Sequence, residues 1–152
     1  MRSLSALFAV FGLDLLTKRW ADKTLPLNRK KEIVRNCLYF RHIKNSGIAY
    51  NKFSGKRNGI LCFTGGLLAY YSGLFVQVLQ GQKPKRSGLP LALILGGGYG
   101  NFMERMRKGK VTDFLFIPVE GRNAPIFNIA DIAICVGAVW LAIVSCGEKE
   151  KK

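Results

Sequence analysis

Residues 58–82 read NGILCFTGGLLAYYSGLFVQVLQGQ and carry no charged side chain. A bilayer core of roughly 30 Å needs about 20 apolar residues as helix, and this run meets that length. A helix of a soluble protein keeps a polar face at helical period; residues 58–82 show none. Three other runs share the pattern. Residues 87–103 carry no charge, residues 123–147 carry only Asp131, and residues 3–17 carry only Asp14. The N-terminal run reaches spanning length by extending through Trp20, and the third by continuing past Met103. The reading is an all-α membrane protein with four transmembrane helices. A cleaved leader fits the N-terminal run poorly, because Asp14 interrupts it and Lys18 and Arg19 follow directly.

The chain has 152 residues, with 24 Lys plus Arg against 9 Asp plus Glu and a net charge of +15. Hydrophobic residues make up 49%, which excludes disorder despite the charge. One domain over 1–147 with a charged tail at 148–152 is expected, as is a monomer. So basic a chain points to an anionic partner. Beside apolar spans, that partner is membrane phospholipid rather than nucleic acid.

Between the first two spans, residues 25–36, LPLNRKKEIVRN, read as a basic loop. Residues 33–53, IVRNCLYFRHIKNSGIAYNKF, then read as short strands, in which Leu38, Phe40 and Ile43 alternate partially with Tyr39, Arg41 and Lys44, and Asn-Ser-Gly is a turn signal. With the extended stretch VTDFLFIP at 111–118, this predicts a small β element at the membrane surface. The four cysteines, Cys37, Cys62, Cys135 and Cys146, contain no C-x-x-C and read as small buried hydrophobes. His42 is the only histidine and reads as a surface residue. Neither a zinc site nor a histidine-based nucleophile is supported, and no cofactor is implied.

Nine acids among so many bases make each acid informative. Asp22, Glu32, Glu120, Glu148 and Glu150 look peripheral. Asp14, Glu104, Asp113 and Asp131 lie in or beside apolar runs, where an ionisable group marks a functional site by default. Asp14 has Lys18 at i, i+4 as a ready partner, and Glu104 has Arg105 beside it. Asp113 and Asp131 have no basic neighbour in sequence. Asn128 is placed to cap the fourth helix and shares a face with Asp131. Two facing carboxylates in a partly dry site share a proton and can activate water. A proton or ion relay in a small transporter uses the same residues, and spacing alone leaves both open.

Four blocks are more specific. They are Asp14-Leu15-Leu16-Thr17-Lys18; Asn45-Ser46-Gly47-Ile48-Ala49-Tyr50; Gly97-Gly98-Tyr99-Gly100-Asn101-Phe102-Met103-Glu104-Arg105 followed by Gly109, Val111, Thr112, Asp113 and Phe114; and Phe127-Asn128-Ile129-Ala130-Asp131. In this order they resemble the lipoprotein signal peptidase (signal peptidase II) family across nearly the whole chain. Glu104 stands where that family usually has Asp, and Tyr50 where it has Phe or Trp.

The resemblance implies an intramembrane aspartic endopeptidase of the bacterial cytoplasmic membrane, with four helices and a β cradle at the extracytoplasmic surface. It implies cleavage of diacylglyceryl-prolipoproteins before the lipidated cysteine, with Asp113 and Asp131 catalytic. Asn45, Asn101, Arg105 and Asn128 correspond to polar site-lining residues, and Gly47 and Ala49 to small residues near the substrate. Asp14 and Lys18 correspond to a polar pair of the first helix. Gly100, Glu104 and Ala130 fall inside the matching blocks as supporting positions. Both termini are then cytoplasmic, with the site toward the outer leaflet. The loop charges oppose this orientation, since residues 23–57 alone hold 10 Lys and Arg, which positive-inside statistics would keep in the cytoplasm.

Overall fold

A computed structural model describes residues 1–119 and 124–149, the side chains of Ala49, Glu148 and Lys149 excepted. Four long helices form: α1 (Arg2–Thr24), α2 (Arg57–Leu79), α3 (Gly88–Lys108) and α4 (Ile129–Lys149). Each corresponds to one of the four apolar runs, and α1 does extend through Trp20. Four strands, β1 (Lys30–Val34), β2 (Leu38–Asn45), β3 (Val111–Phe116) and β4 (Ile126–Phe127), form one antiparallel sheet in the order β1-β2-β3-β4. The chain is thus mostly helical with a small sheet.

The central helix is α3, which packs against α1, α2 and α4. Its glycines decide how closely. At Gly97 a Cβ atom would lie 2.5 Å from the Ala130 carbonyl oxygen of α4. Hydrogen in place of a methyl therefore lets the backbones of α3 and α4 touch, which matters where lipid supplies no hydrophobic drive between helices. Leu91, Ala92 and Leu95 of α3 and Leu68, Phe75 and Val78 of α2 form the buried apolar cluster.

Two helices, α2 over Arg57–Leu79 and α4 over Ile129–Gly147, are long and apolar enough to cross a membrane, and little of either is buried. Phe63, Tyr70, Val139 and Ile143 all stand exposed on them. Exposed apolar surface of this extent on such helices is covered by lipid rather than water. The same environment corrects the expectation of buried cysteines. Cys37, Cys62, Cys135 and Cys146 are all exposed, because the apolar helices that carry three of them turn those positions outward.

The basic stretch read as loop contains β1. Its register is set by β2, with Lys30 opposite Arg41 and Lys31 opposite Phe40. Asn36 makes the hairpin turn at φ 54°, a conformation that asparagine tolerates better than most residues. The cysteine that follows it closes the turn, its N–H donating to the Val34 carbonyl at 3.0 Å. The sheet sits on the end of α1 through Trp20, whose ring meets Phe40 at 5.1 Å and Phe114 at 6.2 Å between centroids.

Candidate active site

Helix α3 ends on Gly109 at φ 71°, whose N–H donates to the Arg105 carbonyl. This left-handed C-terminal turn is one that glycine makes at no steric cost. It sends the chain straight into β3, where Asp113 lies opposite Ile43 of β2. Across the sheet, Asn128 opens α4. The Asp131 N–H donates to Asn128 Oδ1 at 3.0 Å, and the Asn128 N–H donates to Asp131 Oδ2 at 3.1 Å. This reciprocal cap, with Asp in the place a Glu often takes, fixes Asp131 one turn inside the helix, as expected.

The same asparagine reaches the other carboxylate. Asn128 Nδ2 donates to Asp113 Oδ1 at 2.7 Å, and Asn45 Nδ2 donates to Asp113 Oδ2 at 3.1 Å. Asn101 Nδ2 donates to Asp131 Oδ1 at 2.8 Å. Both carboxylates line one cavity of about 750 Å³, which runs on between apolar side chains such as Leu67, Tyr71, Ile94 and Ile134. Burial pushes Asp113 up to about 7, and the nearby Asp131 carboxylate adds to the rise, while the amides of Asn45 and Asn128 offset part of it. Near neutral pH Asp113 therefore keeps its proton in a large share of molecules, which leaves one of its oxygens able to donate into the cavity.

A second polar layer lies behind. Lys18 Nζ contacts Asp14 Oδ2 and Asn101 Oδ1, each at 2.7 Å. Asp14 Oδ1 accepts from the Ala130 N–H at 3.1 Å, so the anticipated Asp14–Lys18 pair also ties α1 to α4. Asp14 and Ala130 are fully buried. A side chain at Gly100 would collide with the Asp14 carboxylate, which accounts for the glycine.

Glu104 does not pair with its sequence neighbour. Its carboxylate accepts from the Thr112 N–H at 3.0 Å and the Thr112 hydroxyl at 2.6 Å, and Lys108 approaches at 3.1 Å. The extra methylene relative to Asp is accommodated by this grip on the residue preceding Asp113. Arg105 instead donates to the Gly47 carbonyl at 2.8 Å, and Asn45 Oδ1 accepts from the Gly47 N–H at 2.9 Å. The side chain of Ala49 lies outside the described residues.

Two residues read as peripheral belong to this layer. Asp22 joins Lys44, Lys108 and the Thr112 hydroxyl. Its spacing from Asp14 and Lys18, eight and four residues, was the available signal, since that spacing repeats one helix face. His42, expected at the surface, is 3% exposed. Its Nδ1 donates to the Leu25 carbonyl at 2.8 Å, and Nε2 lies 3.3 Å from Asp22. The fold of the sheet over the end of α1 buries it. Among the described residues, no three His, Cys, Asp or Glu side chains are grouped so as to hold a metal ion.

Comparison with known proteins agrees with this geometry. The family model described as Signal peptidase (SPase) II matches residues 6–146. A "Lipoprotein signal peptidase" from Lactococcus lactis subsp. cremoris (strain SK11) is 37% identical over 151 residues, 98% of this chain and 97% of that protein. A solved structure described as a bacterial membrane enzyme, at 2.3 Å resolution, superposes with a TM-score of 0.87 at 25% identity, covering 99% of this chain and 91% of its own. A second such structure, at 1.9 Å, gives 0.81 over 94% of this chain. With its two aspartates at one cavity between apolar helices, the chain belongs to the signal peptidase II family of membrane-embedded aspartic peptidases.

Proposed function

We propose that Asp113 and Asp131 form the catalytic dyad, and that it hydrolyses the peptide bond before the lipidated cysteine of diacylglyceryl-prolipoproteins. The observation that carries this reading is the single cavity onto which both carboxylates open, with Asn128 bonded to each. The ionised carboxylate takes a proton from water as its oxygen attacks the scissile carbonyl carbon. The protonated partner, Asp113 by its raised affinity, donates to the carbonyl oxygen. Collapse of the tetrahedral intermediate breaks the C–N bond, the departing nitrogen receives a proton, and the dyad returns to one shared proton.

The apolar part of the cavity suits the signal helix entering from lipid between α2 and α4. In this reading all four helices span the cytoplasmic membrane of a bacterium, the termini are cytoplasmic, and the sheet lies at the outer leaflet. Residues 1–147 act as one domain and as a monomer. Asn45, Gly47, Ala49, Asn101 and Arg105 contact the cleavage region or its support, while Asp14, Lys18, Gly100, Glu104 and Ala130 hold the helices that present the dyad.

Mass spectrometry of the products from a purified lipidated preprolipoprotein tests the substrate assignment. The larger product is expected to begin at the diacylglyceryl cysteine, and the unlipidated precursor to stay intact. Equal cleavage of the unlipidated precursor, or a cut elsewhere, overturns the assignment.

A further inference from the structure

A second cleft, of about 240 Å³, lies between the C-terminal end of α1 and the edge strand β1, away from the dyad. Thr24, Leu25, Pro26 and Phe40 line it together with the basic residues Arg29, Lys30 and Lys31. All five residues of β1 are exposed, and the strand is an unpaired sheet edge. Exposed apolar residues flank the cations: Leu27, Ile33 and Val34, with Trp20 on the adjoining turn of α1.

The charges here are not compensated. Among the described residues, the Arg29 guanidinium and the Lys31 ammonium have no ion-pair or hydrogen-bond partner. The neighbouring groups are committed elsewhere. Lys30 Nζ sits 3.7 Å from the centroid of the Tyr39 ring. Asp22 is held by Lys44 and Lys108. Glu32 accepts from the Asn36 N–H and the Tyr39 hydroxyl. An edge that interleaves free cations with exposed aliphatic side chains, beside a tryptophan at a helix end, has the chemistry of the membrane–water interface.

We propose that this cleft binds the headgroup of an anionic phospholipid. Arg29 and Lys31 donate to its phosphate oxygens, and Phe40, Leu25 and Leu27 contact its glycerol and upper acyl segments. A zwitterionic lipid brings its own ammonium toward the two cations and is disfavoured; a phosphatidylglycerol-type headgroup is not. The proposal rests on the reading that α1 spans the bilayer and is independent of the dyad assignment. It also gives the excess positive charge of this surface a function in whichever leaflet the sheet lies.

The test reconstitutes the full chain in phosphatidylcholine vesicles with trace spin-labelled phosphatidylglycerol or spin-labelled phosphatidylcholine. Electron paramagnetic resonance then gives the motionally restricted fraction of each probe. The wild type is expected to prefer phosphatidylglycerol at low salt, and the R29Q/K31Q variant to lose roughly threefold or more of that preference. A K83Q/K85Q variant, in the connection between α2 and α3, is expected to retain it. Raising the salt to about 0.5 M is expected to erase most of the difference by screening. No preference in the wild type, full preference in R29Q/K31Q, or equal loss in K83Q/K85Q overturns the proposal. Cleavage assayed on the same vesicles separates the two readings: a lipid preference that persists in a chain unable to cleave supports the cleft and speaks only against the dyad.

Discussion

The side-chain amide of Asn128 donates to Asp113 Oδ1 at 2.7 Å, reaching from the start of α4 to the middle of β3. Since Asn128 Oδ1 also accepts from the Asp131 N–H at 3.0 Å and so caps α4, one side chain sets the relative placement of both acids. Replacing it with alanine is expected to lower kcat about a hundredfold, the scale of an ångström-level misplacement of reacting groups. KM should change little, and loss of the cap should destabilise the fold by about 1 kcal/mol. Steady-state kinetics on a lipidated precursor, beside thermal unfolding in detergent, checks both.

Asp113 is held up at about 7 by burial and by Asp131, which gives a pH dependence with a definite sign. The dyad needs one proton, so kcat/KM is expected to fall above pH ~7, approaching tenfold per unit. Stability follows from the same shift. Between an unfolded value of 3.8 and about 7, the folded state binds more protons than the unfolded state, so this group's contribution is full below pH ~4 and is lost as pH rises through ~7. The difference in stability between Asp113→Asn and wild type is therefore expected to grow in the variant's favour from pH 4 to pH 8, by on the order of 4 kcal/mol at most. Parallel curves for the two proteins would contradict the shift.

Lys18 stands between Asp14, Asn101 and Glu104. The variant Lys18→Met leaves a fully buried Asp14 with only the Ala130 N–H, at an expected cost of about 3–5 kcal/mol. The double variant D14N/K18M is expected to recover most of it, because no uncompensated charge remains. Thermal unfolding of the single and double variants gives the coupling; additive losses would show that the pair is not what joins α1 to the site.

Two glycines should respond with opposite signs. A methyl at Gly100 meets the Asp14 carboxylate, so Gly100→Ala is expected to destabilise by about 1–3 kcal/mol and to lower activity. At Gly65 the nearest atom is 3.5 Å away, on the Phe102 ring, which is ordinary contact. Gly65→Ala is expected to be neutral or to stabilise by up to about 1 kcal/mol through helix propensity. Unfolding midpoints of the two variants measure the contrast.

The four helices are legible because long apolar runs with at most one charge are a one-dimensional signal, and β3 because Val111, Thr112 and Phe114 favour extended backbone. Asp113 and Asp131 stood out as two acids without nearby bases, and the structure brings both to one cavity. What escaped has a common physical origin. The alternation in β1 is hidden by Lys30 and Lys31, whose place at a sheet edge comes from pairing with β2 rather than from their own preference. Asp22 and His42 look exposed by composition, and only the docking of the sheet on α1 buries the histidine and converts the aspartate into a junction. The cysteines were assigned to a core, whereas the environment that accepts them on α2 and α4 is lipid.

The central claim is that Asp113 and Asp131 act together on one water, and the direct measurement is the turnover of Asp113→Asn and Asp131→Asn on a lipidated preprolipoprotein. Both variants should insert and fold, since asparagine is near-isosteric and the cap and neighbouring amides remain. Each is expected to lower turnover by at least about a thousandfold, and the double variant to be no worse than the poorer single, because the two acids work as a unit. Near-normal cleavage by either single variant would contradict the account.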